Sequence, residues 1–485
     1  MSQQVAVSPV VVPAVDGGVW DLLVIGGGAA GLVGARTAAS FGASVLLVER
    51  ERTGGDCLLT GCVPSKALLA AAASAADARG AGRLGVHVER VRVDFAGVMA
   101  HVRAAITAIE PVDSADALRA AGVQGAHGTA RFTGPSTADV GGTPVRFRQA
   151  LVATGSDPLV PPVPGLRDAS PLTSDTVWDL TGLPARLVVL GGGTIGCELG
   201  QAFARLGSSV TVVEAAGRLL GAEDADAAAL VTEALRRDGA TVLTGAPVTA
   251  VQDGQVVLED GRLVPADTIL VALGRRPDTR GLDLHAAGIE VDDRGHVVVD
   301  AALRTTHPRV WAAGDVTGHP QFTHVAGVHG STAASNAVLG LRRRAEVGAI
   351  PRVTYTSPEV AAVGVGAGER GVTVRTVAHD EVDRAVAEAR TAGFARLVTD
   401  RRGRLVGATV VGPRAGETLA ELTLAVRKGL RAQDLASTMH PYPTFGDGPW
   451  NAAVADVRAR LAAPATRRAI GVLSAVRRRW LDARG

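Results

Sequence analysis

Cysteine is nearly missing, at three in 485 residues. That excludes a small secreted scaffold held together by several bridges. Aromatic residues make up only 3%, with two tyrosines, and no basic stripe interleaved with aromatics runs through the body, so composition offers no nucleic-acid partner. Charge of either sign is balanced to a formal +2, which leaves small, neutral or nucleotide-like ligands open. No uninterrupted apolar run approaches the roughly 18 residues that a bilayer span needs. The first nineteen residues carry Pro9, Pro13 and Asp16 where a signal peptide would have an apolar core. The expectation is a cytoplasmic globular protein with a disordered leader over 1–19. A 47% hydrophobic content supplies a large core and, from length, about three domains.

One pattern occurs twice. "WDLLVIGGGAAGLVGARTAASFGASVLLVER" runs from Trp20 through Gly26, Gly28 and Gly31 to Glu49, and "RLVVLGGGTIGCELGQAFARLGSSVTVVE" runs from Arg186 through Gly191, Gly193 and Gly196 to Glu214. Each reads as strand, glycine turn, helix, strand, acid. In both copies the acid lies 18 residues past the third glycine, near the roughly 20 of a dinucleotide fingerprint. The first glycine permits the tight turn, the second lets backbone approach a pyrophosphate, and the third lets helix and strand pack closely. The phosphate then meets free amides and a favourable dipole at the helix N-terminus. Two fingerprints imply two dinucleotides, and electron transfer between FAD and a nicotinamide is the simplest reason to hold both. Glu214 at the second ribose favours NADH, because a 2′-phosphate would be repelled. Arg218, four residues on, keeps NADPH as a candidate.

Two of the three cysteines fall in "GGDCLLTGCVPSKALL", at Cys57 and Cys62. A CxxxxC spacing is not a usual zinc half-site, and His101 and His127 stand isolated, so no metal site is expected. Cys62 leads into an alanine-rich helical stretch with Pro64 in its first turn, a position that stabilises a thiolate. Two buried, reduced cysteines that never meet are the alternative. Cys197, inside the second fingerprint helix, fits that alternative.

The cysteine segment resembles the redox-active motif of the class I pyridine nucleotide-disulfide oxidoreductases, the group of dihydrolipoamide dehydrogenase, glutathione reductase and mercuric reductase. Further markers follow in the family's order: "ATGSDP" from Ala153, the second fingerprint, "ALGRRPD" from Ala272, "WAAGDV" from Trp311, "YTSPEVAAVG" from Tyr355 and "HPYPTFGD" from His440. The resemblance runs from Trp20 to about Asn451. It implies a Cys57–Cys62 disulfide in which Cys62 faces the flavin as the charge-transfer thiolate and Cys57 is the interchange thiol that meets substrate. It places Lys66 near the flavin, paired with Glu198. Lys66 is one of two lysines among fifty basic residues, and a compact ammonium suits that place better than a planar guanidinium. Asp315 resembles the residue that binds the FAD ribityl chain. Ala130, Thr154, Gly155 and Thr323 match other flavin-contact positions, and Val248 and Gly274 match positions near the nicotinamide dinucleotide.

One departure bears on mechanism. The family's disulfide reductases carry a His-Pro-Thr-x-x-Glu segment, contributed by the partner subunit, whose histidine is the acid-base catalyst. Here Tyr442 occupies the histidine position and Asp447 the glutamate position, with His440 two residues earlier. Tyrosine, with a reference pKa of about 10, is a poor proton shuttle for thiol-disulfide exchange at pH 7. Mercuric reductases resemble this chain in having tyrosine there, but they also carry a C-terminal cysteine pair, and "RRAIGVLSAVRRRWLDARG" has none. The residues before Trp20 are expected to be a leader and not an amino-terminal metal-binding domain. A tyrosine stacked at the dimer interface is the structural alternative.

The expected architecture is α/β: two doubly wound Rossmann-like domains, for FAD and NAD, and a C-terminal α+β dimerisation domain. The segments are a leader 1–19, an FAD domain 20–165 continued at 286–350, an NAD(P) domain 166–285, a dimerisation domain 351–460 and a basic amphipathic tail 461–485. The expected activity passes electrons from NAD(P)H through FAD and the cysteine pair to a small-molecule or metal-ion acceptor in a homodimer, mercuric-reductase-like. Dihydrolipoamide dehydrogenase, a quinone reductase or diaphorase that bypasses the cysteines, and a redox-inert nucleotide-binding scaffold are the alternatives. In the tail, Ile470, Leu473, Val476, Trp480 and Leu481 share much of one helical face beside Arg467, Arg468, Arg477, Arg478 and Arg479, which suits either weak contact with an anionic membrane surface or packing on the dimer.

Overall fold

The computed structural model describes residues 12–484, which form two compact units. The first runs to Arg79 and takes in Glu89–Gly217 and Asp238–Val347; the second comprises Gly80–Val88, Arg218–Arg237 and Gly348 onward.

The first unit is built on "WDLLVI". Trp20–Ile25 is a strand paired in parallel on both sides, with Val45–Glu49 and Thr143–Val152. A central parallel strand is covered on both faces, which is why it reads as a continuous apolar run and not an alternating one. Val123–His127 extends the sheet on one side, and the hairpin strands Ala130–Gly134 and Thr137–Val140 extend it on the other. Val310–Ala312 then returns to pair with Thr143–Val152, after an inserted parallel sheet ordered Thr241–Thr244, Ser209–Glu214, Arg186–Leu190 and Thr268–Val271. A short antiparallel pair, Ser156–Pro158 with Arg275–Pro277, marks the two chain crossings between these sheets. A three-stranded antiparallel sheet begins at Val248.

The helices Ala29–Ser40 and Thr323–Leu339 pack against each other through their small residues. A Cβ on Gly330 would stand 2.2 Å from the Ala30 carbonyl oxygen, and one on Gly34 2.7 Å from a Leu151 methyl. The start of the second helix, Thr323, lies beside Cys62.

The second unit centres on a five-stranded antiparallel sheet ordered Arg352–Thr354, Glu359–Gly364, Leu405–Gly412, Phe394–Thr399 and Thr373–Ala378. Helices Ala415–Lys428, Ala432–Ser437 and Asp447–Leu461 contribute Leu419, Leu422, Leu435 and Ala452 to its core. Arg396, bound to Asp224 at 2.6 Å and Asp226 at 2.8 Å, ties the segment Arg218–Arg237 to the sheet, as does Arg352 on Glu223 at 2.7 Å.

One expectation needs correction, and one helix bears on another. Residues 1–11 of the expected leader lie outside the described residues, but Asp16–Gly18 forms a 3-10 turn, and Val12 and Val15 pack on the core, so the chain is ordered before Trp20. The helical stretch Gly55–Leu84 is long and apolar enough to cross a bilayer by length and composition. It buries Leu58, Leu68, Ala72 and Ala75, and Asp56, Lys66, Asp77, Arg79 and Arg83 interrupt its apolar residues.

Gly330→Ala should lower unfolding stability by about 3 kcal/mol, because the neighbour is backbone and cannot step aside. Urea denaturation checks this, and an unchanged midpoint would contradict the close helix contact.

Candidate active site

The two glycine turns are built alike to the level of single atoms. Gly26 and Gly191 have positive φ, +106° and +110°, and a Cβ on either would meet the carbonyl oxygen of Ala153 or Ala272. A Cβ on Gly31 or Gly196 would lie within 2 Å of the first glycine's own carbonyl. The middle glycines differ. A Cβ on Gly28 would meet only the Gly55 Cα at 3.8 Å, and one on Gly193 nothing within 4 Å. What they leave clear is the space in front of two helix N-termini, Ala29–Ser40 and Thr194–Leu206, neither of which has a side-chain cap. A helix N-terminus with no side-chain cap and clear space in front of it fits a pyrophosphate.

Each acid grips its own turn. Glu49 accepts from the Gly27 and Glu51 amides at 2.6 and 2.7 Å, and Glu214 accepts from Gly192 and Ala216 at 2.7 Å each. A carboxylate oxygen has a second lone pair, so both remain able to accept from ribose hydroxyls. Arg218 is engaged elsewhere: its guanidinium donates to the carbonyls of Leu220, Gly221 and Glu223. Its expected reach to a 2′-phosphate would cost those three bonds.

Cys57 lies in the short helix Gly55–Leu59, and Cys62 opens the long helix Cys62–Gly80. Both are thiols here, not a bridge, and they hydrogen-bond to each other in a way that makes them unequal. That bond is the largest influence lowering Cys62, to about 6; burial opposes it, and Thr323 and the Lys66 charge add to the lowering. The same bond, with burial, pushes Cys57 far up. Cys62 Sγ stands 3.3 Å from Thr323 Oγ1. Lys66, one turn along the helix, binds Glu198 at 3.0 Å, and Glu198 is only 4% exposed. A buried carboxylate holds a lysine in place because leaving it unpaired would be costly. Cys197 is the inert one: burial pushes its thiol to about 12.

Asp315 accepts from Ser156 Oγ at 2.7 Å, and Thr154 Oγ1 donates to the Asp278 carbonyl at 2.6 Å. Gly155 and Gly274 have positive φ and open space on their Cβ side. Ala130 and Val248 stand at the starts of their strands. The Ala130 side chain is buried in the core, which leaves its backbone as the part able to meet a ligand.

Sequence reasoning missed Arg275 and Asp56. Arg275, 13% exposed, donates to Ser156 Oγ at 2.8 Å, to the Ser156 carbonyl at 2.6 Å and to the Asp56 carboxylate, with Asp315 at 3.9 Å. It thereby anchors the residue next to Cys57. Burial, with the nearby charges of Asp175, Asp315 and Asp157, pushes Asp56 to about 6 despite Arg275. The arginine pair in "ALGRRPD" was the available signal.

In the second unit, Tyr442 and Asp447 bond to different partners. Asp447, buried at the start of its helix, accepts from the Thr444 amide at 3.0 Å. The Tyr442 hydroxyl, on an exposed ring, donates to Asp383. That bond and the Asp383 charge raise the phenol above its ordinary range. His440 sets one ring nitrogen 3.0 Å from Glu421 and the other 2.9 Å from the Thr438 carbonyl.

Comparison with known proteins agrees with this geometry. Residues 20–330 match the pyridine nucleotide-disulphide oxidoreductase family, and 350–453 match that family's dimerisation domain. The chain belongs to this family. It is 40% identical to a mercuric reductase of Streptomyces lividans over 447 residues, covering 88% of this chain and 94% of the relative. It is 38% identical to a dihydrolipoyl dehydrogenase of Thermus scotoductus over 464 residues, covering 90% and 97%. Among solved structures, LpdA of Mycobacterium tuberculosis superposes with a TM-score of 0.82 at 29% identity, covering 91% of this chain and all of that one. The Cu(II) complex of the HOCl-induced flavoprotein disulfide reductase RclA of Escherichia coli gives 0.80 at 27%, covering 89% and 99%. This pyridine nucleotide-disulphide oxidoreductase is thus an FAD-dependent enzyme that uses NAD(P)H and carries the homodimer-forming domain of its family.

Asp383→Asn should lower the Tyr442 phenol toward its ordinary value, since it removes the charge that raises it. Ultraviolet phenolate titration resolves this cleanly with only Tyr355 as background, and an unmoved midpoint would dissociate the pair.

Proposed function

We propose that the enzyme takes two electrons from NADH and delivers them from the Cys57–Cys62 pair to a thiol-binding metal ion, as a mercuric reductase-like activity. FAD, when bound, supplies the two-electron relay between nicotinamide and cysteines. The observation that carries the choice of acceptor is the Tyr442–Asp383 hydrogen bond. A dithiol substrate must shed protons to a base, and a phenol held above its ordinary range by Asp383 is no base at pH 7. A metal ion brings no proton to remove. The nicotinamide's hydride leaves the pair as a Cys57 thiol and a low-pKa Cys62 thiolate beside Thr323 and Lys66; Cys57 loses that proton to solvent as it ligates the ion, and the pair closes to a disulfide as its two electrons reduce the metal.

Glu214 supports NADH over NADPH, because its carboxylate is fixed on the second turn and Arg218 is engaged with carbonyls. A second reading, dihydrolipoamide dehydrogenase, is favoured by the His440–Glu421 contact, which is a ready-made acid-base pair.

Cys57→Ser should abolish reduction of mercuric ion while leaving bleaching of the yellow cofactor by NADH intact. Wild-type enzyme should turn over mercuric ion faster than dihydrolipoamide, and should prefer NADH by about tenfold in kcat/KM, the worth of roughly one repelled charge at a partly exposed site. Full mercuric turnover in Cys57→Ser, or faster turnover of the dithiol that is lost in His440→Ala, would overturn the proposal.

A further inference from the structure

Helix Pro464–Asp482 follows the dimerisation-domain match, which ends at 453. Not one of its residues is buried. Ile470, Val472, Leu473, Val476, Trp480 and Leu481 are all exposed, between 41% and 69%. At 100° per residue, Val472, Val476, Trp480 and Leu473 fall in one continuous sector, and Ile470 and Leu481 lie on its far side, past Arg484 and Arg477. The opposite sector holds Arg467, Arg468, Arg478 and Arg479. Over 464–484 there are six arginines and one acid, Asp482. Arg477 and Arg484 each set a guanidinium 4.1 Å over the Trp480 ring. Those cation–π contacts place two charges along the border of the apolar sector, flanking an indole.

We infer that this helix is a peripheral anchor for an anionic lipid surface. Charge complementarity selects that occupant. Its apolar sector has leucine, isoleucine, valine and tryptophan to enter the acyl boundary, and its arginine stems can lie along that boundary with the heads at the phosphates. Tryptophan is the side chain that prefers this interface. A second copy of the same helix is a poor occupant. A two-fold pairing of the apolar sectors would set Arg477 and Arg484 of each copy against a like-charged border, with only Asp482 to offset them. A nucleic-acid backbone would engage the arginines but leave the apolar sector in water. The inference does not depend on which acceptor the enzyme reduces.

The test is co-sedimentation of the full-chain holoenzyme with vesicles of phosphatidylcholine alone or mixed with phosphatidylglycerol. Binding is expected only to the anionic vesicles, weakened by salt. It should be lost in a chain ending at Ala463. In the full chain, R477Q/R478Q/R479Q should weaken it on the order of a hundredfold, from three charges removed near the surface. Leu473→Ser with Trp480→Ser should weaken it at unchanged charge. NADH oxidation should be unaltered in each. Equal sedimentation of the full and shortened chains would overturn the inference, as would equal affinity for the two vesicle types. A dimer that falls to monomers in Leu473→Asp would assign the face to the subunit contact instead.

Discussion

The negative charge that Cys62 carries near neutral pH is the constraint around which the site is arranged. A thiolate below its ordinary pKa needs donors and a nearby cation, and four features of the fold supply them: the Cys57 thiol, the Thr323 hydroxyl, the Lys66 ammonium and the first turn of the helix Cys62–Gly80. Each depends on something further away. Thr323 is in place because Gly330 and Gly34 allow two helices to touch. Lys66 is held by Glu198, which the second fingerprint helix carries into the interior. The Cys57 turn is fixed by Asp56 on Arg275, and Arg275 comes from the short strand that pairs with Ser156–Pro158. The segment that carries the second fingerprint and the chain crossing after it therefore contribute both a carboxylate and a guanidinium to the setting of the cysteines.

The duplication has a consequence for binding. In each copy the acid is used first to close its own glycine turn, through two backbone amides, so the phosphate-binding loop is rigid before any ligand arrives. Preorganised amides lose less entropy on binding than a loop that must be ordered. The positions of Gly28 and Gly193, open toward the helix ends, are what the turn leaves for a pyrophosphate.

Much of this could be read from the chain because it depends on residue type at fixed spacing. Glycine is required where φ is near +110° or where a Cβ would strike a carbonyl, so Gly26, Gly31, Gly191 and Gly196 announce themselves, as do two cysteines in a chain with three. The parts that could not be read are pairings between distant segments. Asp383 lies 59 residues from Tyr442 and Asp56 lies 219 from Arg275, and no local pattern connects either pair. Asp447, at the family's glutamate position and the first residue of its helix, meets the nearby Thr444 amide. Arg218 was expected to be available for a phosphate, but the loop after it offers three carbonyls at closer range. A disordered leader reaching Trp20 failed on Val12 and Val15, two apolar side chains that find the core.

The central claim is that Cys62 ionises first and does so because Cys57 donates to it. The direct measurement is the pH dependence of thiolate formation in the reduced protein, read by ultraviolet absorbance and by alkylation mapped to each cysteine, in Cys57→Ser and Cys57→Ala. Serine keeps a donor and alanine removes it. The account predicts a Cys62 midpoint below the ordinary thiol range in the serine variant and a clearly higher one in the alanine variant. The same midpoint in both, or alkylation of the wild-type protein showing that Cys57 is the thiol that ionises near 6, would contradict it.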